Sequence, residues 1–351
     1  MADVQKQFTQ FHDAIKQKRF EDEQVLRDKR DIVRKKLDDN LPAVFEKYGE
    51  EVPTWTWRDQ GSYEMGTGTK PLSGDFDIDQ GLYFSLSVSD VDPVTLKKRV
   101  HEALDGHTKN VEVRQPCVTV WYHKANERVY HVDIAVYSEA GANWFIGDQL
   151  AVGRLGSSEE NKGWEASDPK GLSDEIFERF GGEDRKQFRR EVRYLKRWKD
   201  HKFSSDGNAA PNGIGLTVAA YHWLTNEYVD EYANGKDEPD DLAALLGLVK
   251  GMLGRFTSTY HEGAFARRLA VELPTSPYSD LFAKMTNVQM GAFEEKLEKL
   301  RDALEYARDE VDPVDACKRL RKEFGDDFPV PEKKSTARAT VSPISSSSNA
   351  A

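Results

Sequence analysis

Residues 60–84 read QGSYEMGTGTKPLSGDFDIDQGLYF, and the spacing within this stretch decides how the chain is organised. A short strand carrying Trp55 and Trp57 is predicted to end at Asp59, after which Gly61 and Ser62 open a short helix. Such a turn presents backbone N–H groups and a hydroxyl at the positive end of a helix, which suits a phosphate. Further on, Asp75, Asp77 and Asp79 alternate with Phe76 and Ile78. Alternate residues of a strand share a face, so the carboxylates are aimed one way while the apolar pair points into packing. Like charges this close repel, and each raises the pKa of its neighbour unless a cation intervenes. Hard oxygen ligands on a rigid strand favour Mg2+ or Mn2+, which bind few carboxylates and complete their shell with substrate phosphates.

Downstream, residues 111–113, 118–122 and 129–137 are β-rich, and residues 92–104 read as a helix with Asp90 or Asp92 as its cap and Pro93 in its first turn. Asp133 stands between Val132 and Ile134, on a core strand where an unpaired carboxylate is expensive. It can supply the extra carboxylate that a two-metal phosphoryl transfer needs to activate a hydroxyl. His131 shares its face and could be a ligand. The plainer reading is a packed or hydrogen-bonded histidine, because no second His or Cys stands at ligand spacing. A Gly-Ser pair alone is usually just a turn, and paired acids alone are common on surfaces. In this order, on predicted strands, they specify a metal site.

Around this core the chain divides by composition. Residues 1–50 are highly charged, with Phe8, Phe11, Ile15, Phe20, Val25, Ile32, Val33 and Leu37 at roughly helical spacing, which predicts one or two amphipathic helices with a single buried stripe. Residues 153–171 carry loop chemistry, and the chain from Ser173 onward is predicted to be all helical. Residues 329–351 are rich in Ser, Ala and Pro and are expected to be disordered.

The net charge of −11 over 351 residues argues against a protein that coats nucleic acid, which needs clustered Lys and Arg. Two cysteines, Cys117 and Cys317, offer neither a disulfide framework nor a Cys-based zinc site. The N-terminal residues lack the apolar core of a secretory signal, and no apolar run approaches the ~20 residues that span a bilayer. A cytoplasmic protein with no membrane association is expected.

Gly61-Ser62, FDIDQGLYF (residues 76–84) and HVDIAVY (residues 131–137) together resemble the polymerase-β-like nucleotidyltransferase superfamily. The likeness is to the bacterial cGAS/DncV-like nucleotidyltransferases (CD-NTases) of CBASS antiviral systems. PCVTV (116–120), WEASDPKGL (164–172) and RYLKRWKD (193–200) extend the resemblance over most of residues 50–260. It implies an α/β (α+β) fold in which a mixed-sheet core (51–170) carries the acids. N-terminal helices (1–50) would brace both this core and a helical lobe (171–328) that closes over the nucleotides. It implies that Asp77, Asp79 and Asp133 bind two Mg2+ or Mn2+ ions, with Asp133 also serving the attacking ribose hydroxyl. Gly61 and Ser62 would hold the triphosphate, with Gln60 beside them, and Lys196 would reach it from the helical lobe. The "acid, one residue, acid, one residue, Gly" form favours Asp77 and Asp79 over Asp75, which would sit at the mouth of the site. Pro211-Asn212-Gly213 stands where many relatives carry Ser, so Asn212 or backbone would make those contacts. Tyr63 is a candidate stacking residue.

The activity implied is synthesis of a cyclic di- or trinucleotide, cyclic GMP-AMP foremost, from ATP and GTP, acting through a separate effector and without DNA activation. The tail ending at Ala351 also fits threading into an E1/E2-like conjugating enzyme. The rivals are a linear transferase acting on RNA ends or a small acceptor, and a non-catalytic nucleotide sensor.

Overall fold

The sheet that bears the acids is built from β1 (Trp55–Asp59), β2 (Phe76–Phe84), β3 (Asn110–Val113), β4 (Val118–Lys124), β5 (Glu127–Ser138), β6 (Gln149–Val152) and β7 (Gly163–Ala166). Its order is β1-β2-β5-β4-β3, and β6 and β7 extend it from the end of β5. Only β2 and β5 run parallel; the other neighbours are antiparallel, so the sheet is mixed. The computed structural model describes residues 3–16, 22–72, 76–124, 127–139, 147–203, 210–229 and 238–332.

The helices are α1 (Gln5–Ile15), α2 (Asp22–Lys47), α3 (Gly61–Glu64), α4 (Pro93–Ala103), α5 (Pro169–Arg179), α6 (Gly182–Lys202), α7 (Gly213–Trp223), α8 (Asp241–Leu253), α9 (Asn287–Asp309) and α10 (Pro313–Phe324). Two small antiparallel ribbons lie among them, β8 (Tyr228–Val229) with β9 (Glu238–Pro239) and β10 (Thr257–His261) with β11 (Ala264–Arg268). The later half is therefore not all helical. Residues 163–171 are not loop: they hold β7 and the start of α5, whose Pro169 follows the cap Asp168.

Burial forms two cores. One face of the sheet, with Ile78, Leu82, Val120, Val132 and Ile134, packs against α2 and α4. Asp92 starts α4 by accepting from the Thr95 N–H at 2.9 Å, with Pro93 in the first turn where its missing N–H costs nothing. The second core joins α6 through α10 around Phe188, Val192, Leu195, Trp198 and Phe293. The N-terminal residues do not form a single stripe. Phe8, Phe11 and Ile15 of α1 enter the helical core, whereas Leu26, Val33, Leu37, Leu41 and Phe45 of α2 enter the sheet core. Ile32, one of the expected stripe residues, is exposed.

Candidate active site

The parallel pairing of β2 with β5 sets Asp77 opposite His131 and Asp79 opposite Asp133. Phe76 and Ile78, between and beside the acids on β2, are buried on the opposite face. On the far side of β5, β4 places Thr119 opposite Asp133, and the Thr119 hydroxyl donates to Asp133 Oδ1 at 2.6 Å. His131 Nε2 lies 3.2 Å from Asp77 Oδ1, and its ring packs on Trp121 with centroids 4.6 Å apart. One ligand atom from each of Asp77, His131 and Asp133 can be chosen so that all lie within 4.8 Å of one another.

The electrostatics are those of crowded acids. Burial pushes the Asp79 carboxyl well above the usual carboxylate range, and the charges of Asp77 and Asp133 push it further. Burial also raises Asp133, and Asp77 adds to it, while the hydrogen bond from Thr119 pulls the other way. Asp77, 45% exposed, is the member that faces solvent. A donor set of carboxylates and an imidazole, with two of the carboxylates resisting ionisation because they are buried and face the charge of Asp77, fits a divalent cation.

Gly61 makes the approach to these acids. Its φ is +65°, and a Cβ there would overlap Asp79 Oδ2, so backbone and carboxylate meet only because the residue has no side chain. The Gln60 N–H donates to the Asp79 carbonyl at 3.3 Å, tying the turn to the strand. The Ser62 carbonyl accepts from the Thr67 N–H at 2.8 Å. Beside Gln60, Gly61 and Asp79 opens a cleft of about 300 Å³ whose other wall is Ile214, Thr275 and Leu281 of the helical lobe. The segment carrying Thr275 was not singled out by the sequence, and no local pattern marks it.

Other sequence-selected residues have their side chains engaged by partners within the protein. The Gln60 side chain is buried and donates to the Tyr83 hydroxyl at 2.7 Å, beneath the stacked pair of Tyr83 and Tyr137. The Tyr63 hydroxyl accepts from Arg27 Nε at 2.8 Å, so this ring is turned towards α2. Asn212 caps α7, accepting from the Gly215 N–H at 2.7 Å and donating to the Leu281 carbonyl at 2.8 Å. Asp75 and Ala351 lie outside the described residues, as does the tail from residue 333. Thr119 was missed as an individual residue, although its alternation with the buried Val118 and Val120 was visible.

Lys196 is 8% exposed and donates to the Thr67 carbonyl and hydroxyl, both at 3.3 Å. Burial, then Lys199 and Arg193, lower its pKa to about 8, and Asp79 opposes that shift. The basic run around it does not form a solvated face. Arg189 donates to the Met65 carbonyl at 3.0 Å, Arg193 to Gly66 and Gly68 at 2.6 and 2.9 Å, and Arg197 to Lys70 at 2.7 Å. Spacings of three and four residues put these side chains on one stripe of α6. They grip the backbone of the loop that leads from α3 towards β2.

Residues 56–137 match the family described as cyclic GMP-AMP synthase DncV-like, nucleotidyltransferase domain. Among solved structures, the chain is similar to Vibrio cholerae DncV cyclic AMP-GMP synthase, described as a prokaryotic cGAS homolog. The TM-score is 0.67 at 17% identity, over 92% of this chain and 96% of that one. The same synthase in complex with the linear intermediate 5′ pppA(3′,5′)pG matches with a TM-score of 0.66 at 18% identity, covering 92% and 97%. A mutant form of the Vibrio cholerae protein in complex with ATP and GTP matches at 0.67 and 18%, covering 92% and 96%. The acids of β2 and β5 stand inside the segment that matches the family model, and the chain shares the fold of the Vibrio cholerae synthase.

Proposed function

We propose that this protein joins nucleoside triphosphates, ATP and GTP, into a cyclic oligonucleotide of the cyclic GMP-AMP kind and releases pyrophosphate. The observation that carries the reading is the β2–β5 register, which sets Asp77 and Asp79 beside His131 and Asp133 next to a cleft between the sheet and the helical lobe. Asp77, Asp79 and Asp133 would hold Mg2+ or Mn2+. When bound, such ions make a ribose hydroxyl more acidic and offset the charge of the phosphates.

The chain's own groups account for the rest. Thr119 occupies Asp133 Oδ1, which leaves Oδ2 to take the proton of the attacking hydroxyl. The new bond joins that oxygen to the α-phosphorus of a second triphosphate, and the bridging P–O bond breaks with its electron pair leaving on pyrophosphate. Gly61 allows the backbone to approach closely, and Ser62 donates to the triphosphate. Lys196 exchanges its Thr67 contacts for the departing phosphates. A second transfer within the same cleft closes the ring. Linear intermediate bound to a protein of the same fold supports a two-step order.

Cytoplasmic antiviral signalling through a nucleotide-binding effector extends this reading, as does conjugation through Ala351 by an E1/E2-like partner. Absence of any adduct at Ala351 with such a partner present would remove the second idea. The deciding assay mixes the purified protein with all four NTPs and Mg2+, treats the mixture with phosphatase and identifies products by mass spectrometry. A phosphatase-resistant cyclic species is expected; linear products alone would leave a terminal transferase.

A further inference from the structure

We propose that His131 is a direct ligand of the ion that Asp77 and Asp133 hold, making one metal position a mixed nitrogen and oxygen site. The inference rests on the nucleotidyltransferase reading and deepens it. Three observations carry it. First, the compact donor group is Asp77, His131 and Asp133, with one ligand atom from each inside a 4.8 Å span. Second, Asp79 is not part of that group: its carboxylate is turned against Gly61, at the wall of the nucleotide cleft. The four side chains therefore divide into a triad at the strand face and one acid facing the cleft. Third, the imidazole is held in place. His131 is paired in register with Asp77 on one side and with Trp121 on the other, and the Trp121 ring packs on it at 4.6 Å.

His131 Nε2 lies 3.2 Å from Asp77 Oδ1, a separation that a hydrogen bond spans without an ion. An ion drawn to the two carboxylates would displace that proton and take the nitrogen lone pair, since only the deprotonated nitrogen can ligate. The consequence is selectivity. Carboxylate and water suit Mg2+, whereas an imidazole nitrogen shifts preference towards first-row transition ions. Mn2+ accepts both kinds of donor and is paramagnetic, which makes it the probe.

The test uses the full chain with Mn2+ and no nucleotide, read by pulsed EPR and by a binding titration. In the unsubstituted protein, bound Mn2+ is expected to show coupling to one 14N nucleus, and labelling with 15N-histidine should convert it to 15N coupling. In His131→Gln the coupling should vanish. Mn2+ affinity should then fall about tenfold and Mg2+ affinity by less than about threefold. Bound Mn2+ without nitrogen coupling, or coupling that persists in His131→Gln, overturns the proposal and leaves His131 as a hydrogen-bond donor to Asp77. Isotope labelling needs no variant, so misfolding of His131→Gln cannot shelter the idea. Nitrogen coupling alongside failure to make any nucleotide product would sink the transferase reading while leaving the ligand in place.

Discussion

Acids stand at two places in this protein, and their surroundings are opposite. In the helical lobe Asp241 is fully buried, yet Arg190 donates to both its oxygens at 2.7 and 2.8 Å, and Tyr194 and Gln187 add bonds at 2.9 and 3.2 Å. On the sheet, Asp77, Asp79 and Asp133 have among the described residues no Arg or Lys ion pair, only His131 against Asp77 and Thr119 against Asp133. An acid that the protein neutralises itself holds structure together. An acid whose charge is left uncompensated raises its neighbours' pKa and lowers stability, a cost that a bound cation offsets. The contrast is the one that the proposed metal-holding role of Asp77, Asp79 and Asp133 predicts.

Substitutions should therefore give opposite results at the two places. Asp79→Asn removes a carboxyl that burial and like charges destabilise. Its melting temperature should hold or rise, while product formation from NTPs falls on the order of 10³-fold or more. Asp241→Asn leaves Arg190, 14% exposed, facing an amide. It should cost about 3 kcal/mol in denaturant unfolding, with turnover per folded molecule largely kept at low temperature. Were Asp79→Asn the destabilised variant, the distinction drawn here would collapse.

Gly61→Ala sharpens the same point from the backbone side. The new methyl would enter the space of Asp79 Oδ2 at a positive φ, so the carboxylate must rotate or the turn must shift. Roughly 1–2 kcal/mol of stability should go to the left-handed backbone alone. Activity should fall further than stability, because Asp79 loses its place. A crystal structure of the variant would show the displaced carboxylate. Activity equal to that of the parent would mean that the Gly61–Asp79 contact has no bearing on transfer.

How much of this was legible depended on range in the sequence. The β2 pattern was readable because strand alternation is local: Phe76 and Ile78 go in while Asp77 and Asp79 go out. That Asp133 joins them was readable from VDI on a core strand, although the parallel register that makes it adjacent is a long-range fact. The part played by the α6 cations was not legible, because a run of Arg and Lys looks the same whether it faces water or a row of carbonyls. Only the loop at residues 65–70, fixed far away in sequence, supplies those acceptors. Asn212 and Tyr63 are chemically apt for nucleotides, and what takes them up is a helix cap and Arg27. The division of the N-terminal helices was hidden for the same reason. A 3.6-residue stripe reports that a helix is buried, never which core receives it.

The finest test lies beside Asp241. Glu191, on the next residue of α6 from Arg190, is fully buried, and neither carboxyl oxygen has a hydrogen-bond partner among the described residues. Burial, with the charge of Asp241 behind it, raises its pKa well above the usual range, Arg190 opposing. The folded state therefore keeps a proton that the unfolded chain releases near pH 4.3. Between those two pKa values the native state binds more protons than the unfolded one, so stability must fall as pH rises through that window. Below about pH 4 both states are protonated and nothing is lost. Gln keeps the shape and cannot ionise. Glu191→Gln should match the parent near pH 4 and exceed it by roughly 1 kcal/mol at neutral pH, measured by urea unfolding at both. A gain equal at the two pH values would point to better packing, and a loss at neutral pH would mean that Glu191 is ionised and paired with Arg190 after all. That last result would place Glu191 with Asp241 among the acids the lobe neutralises for itself.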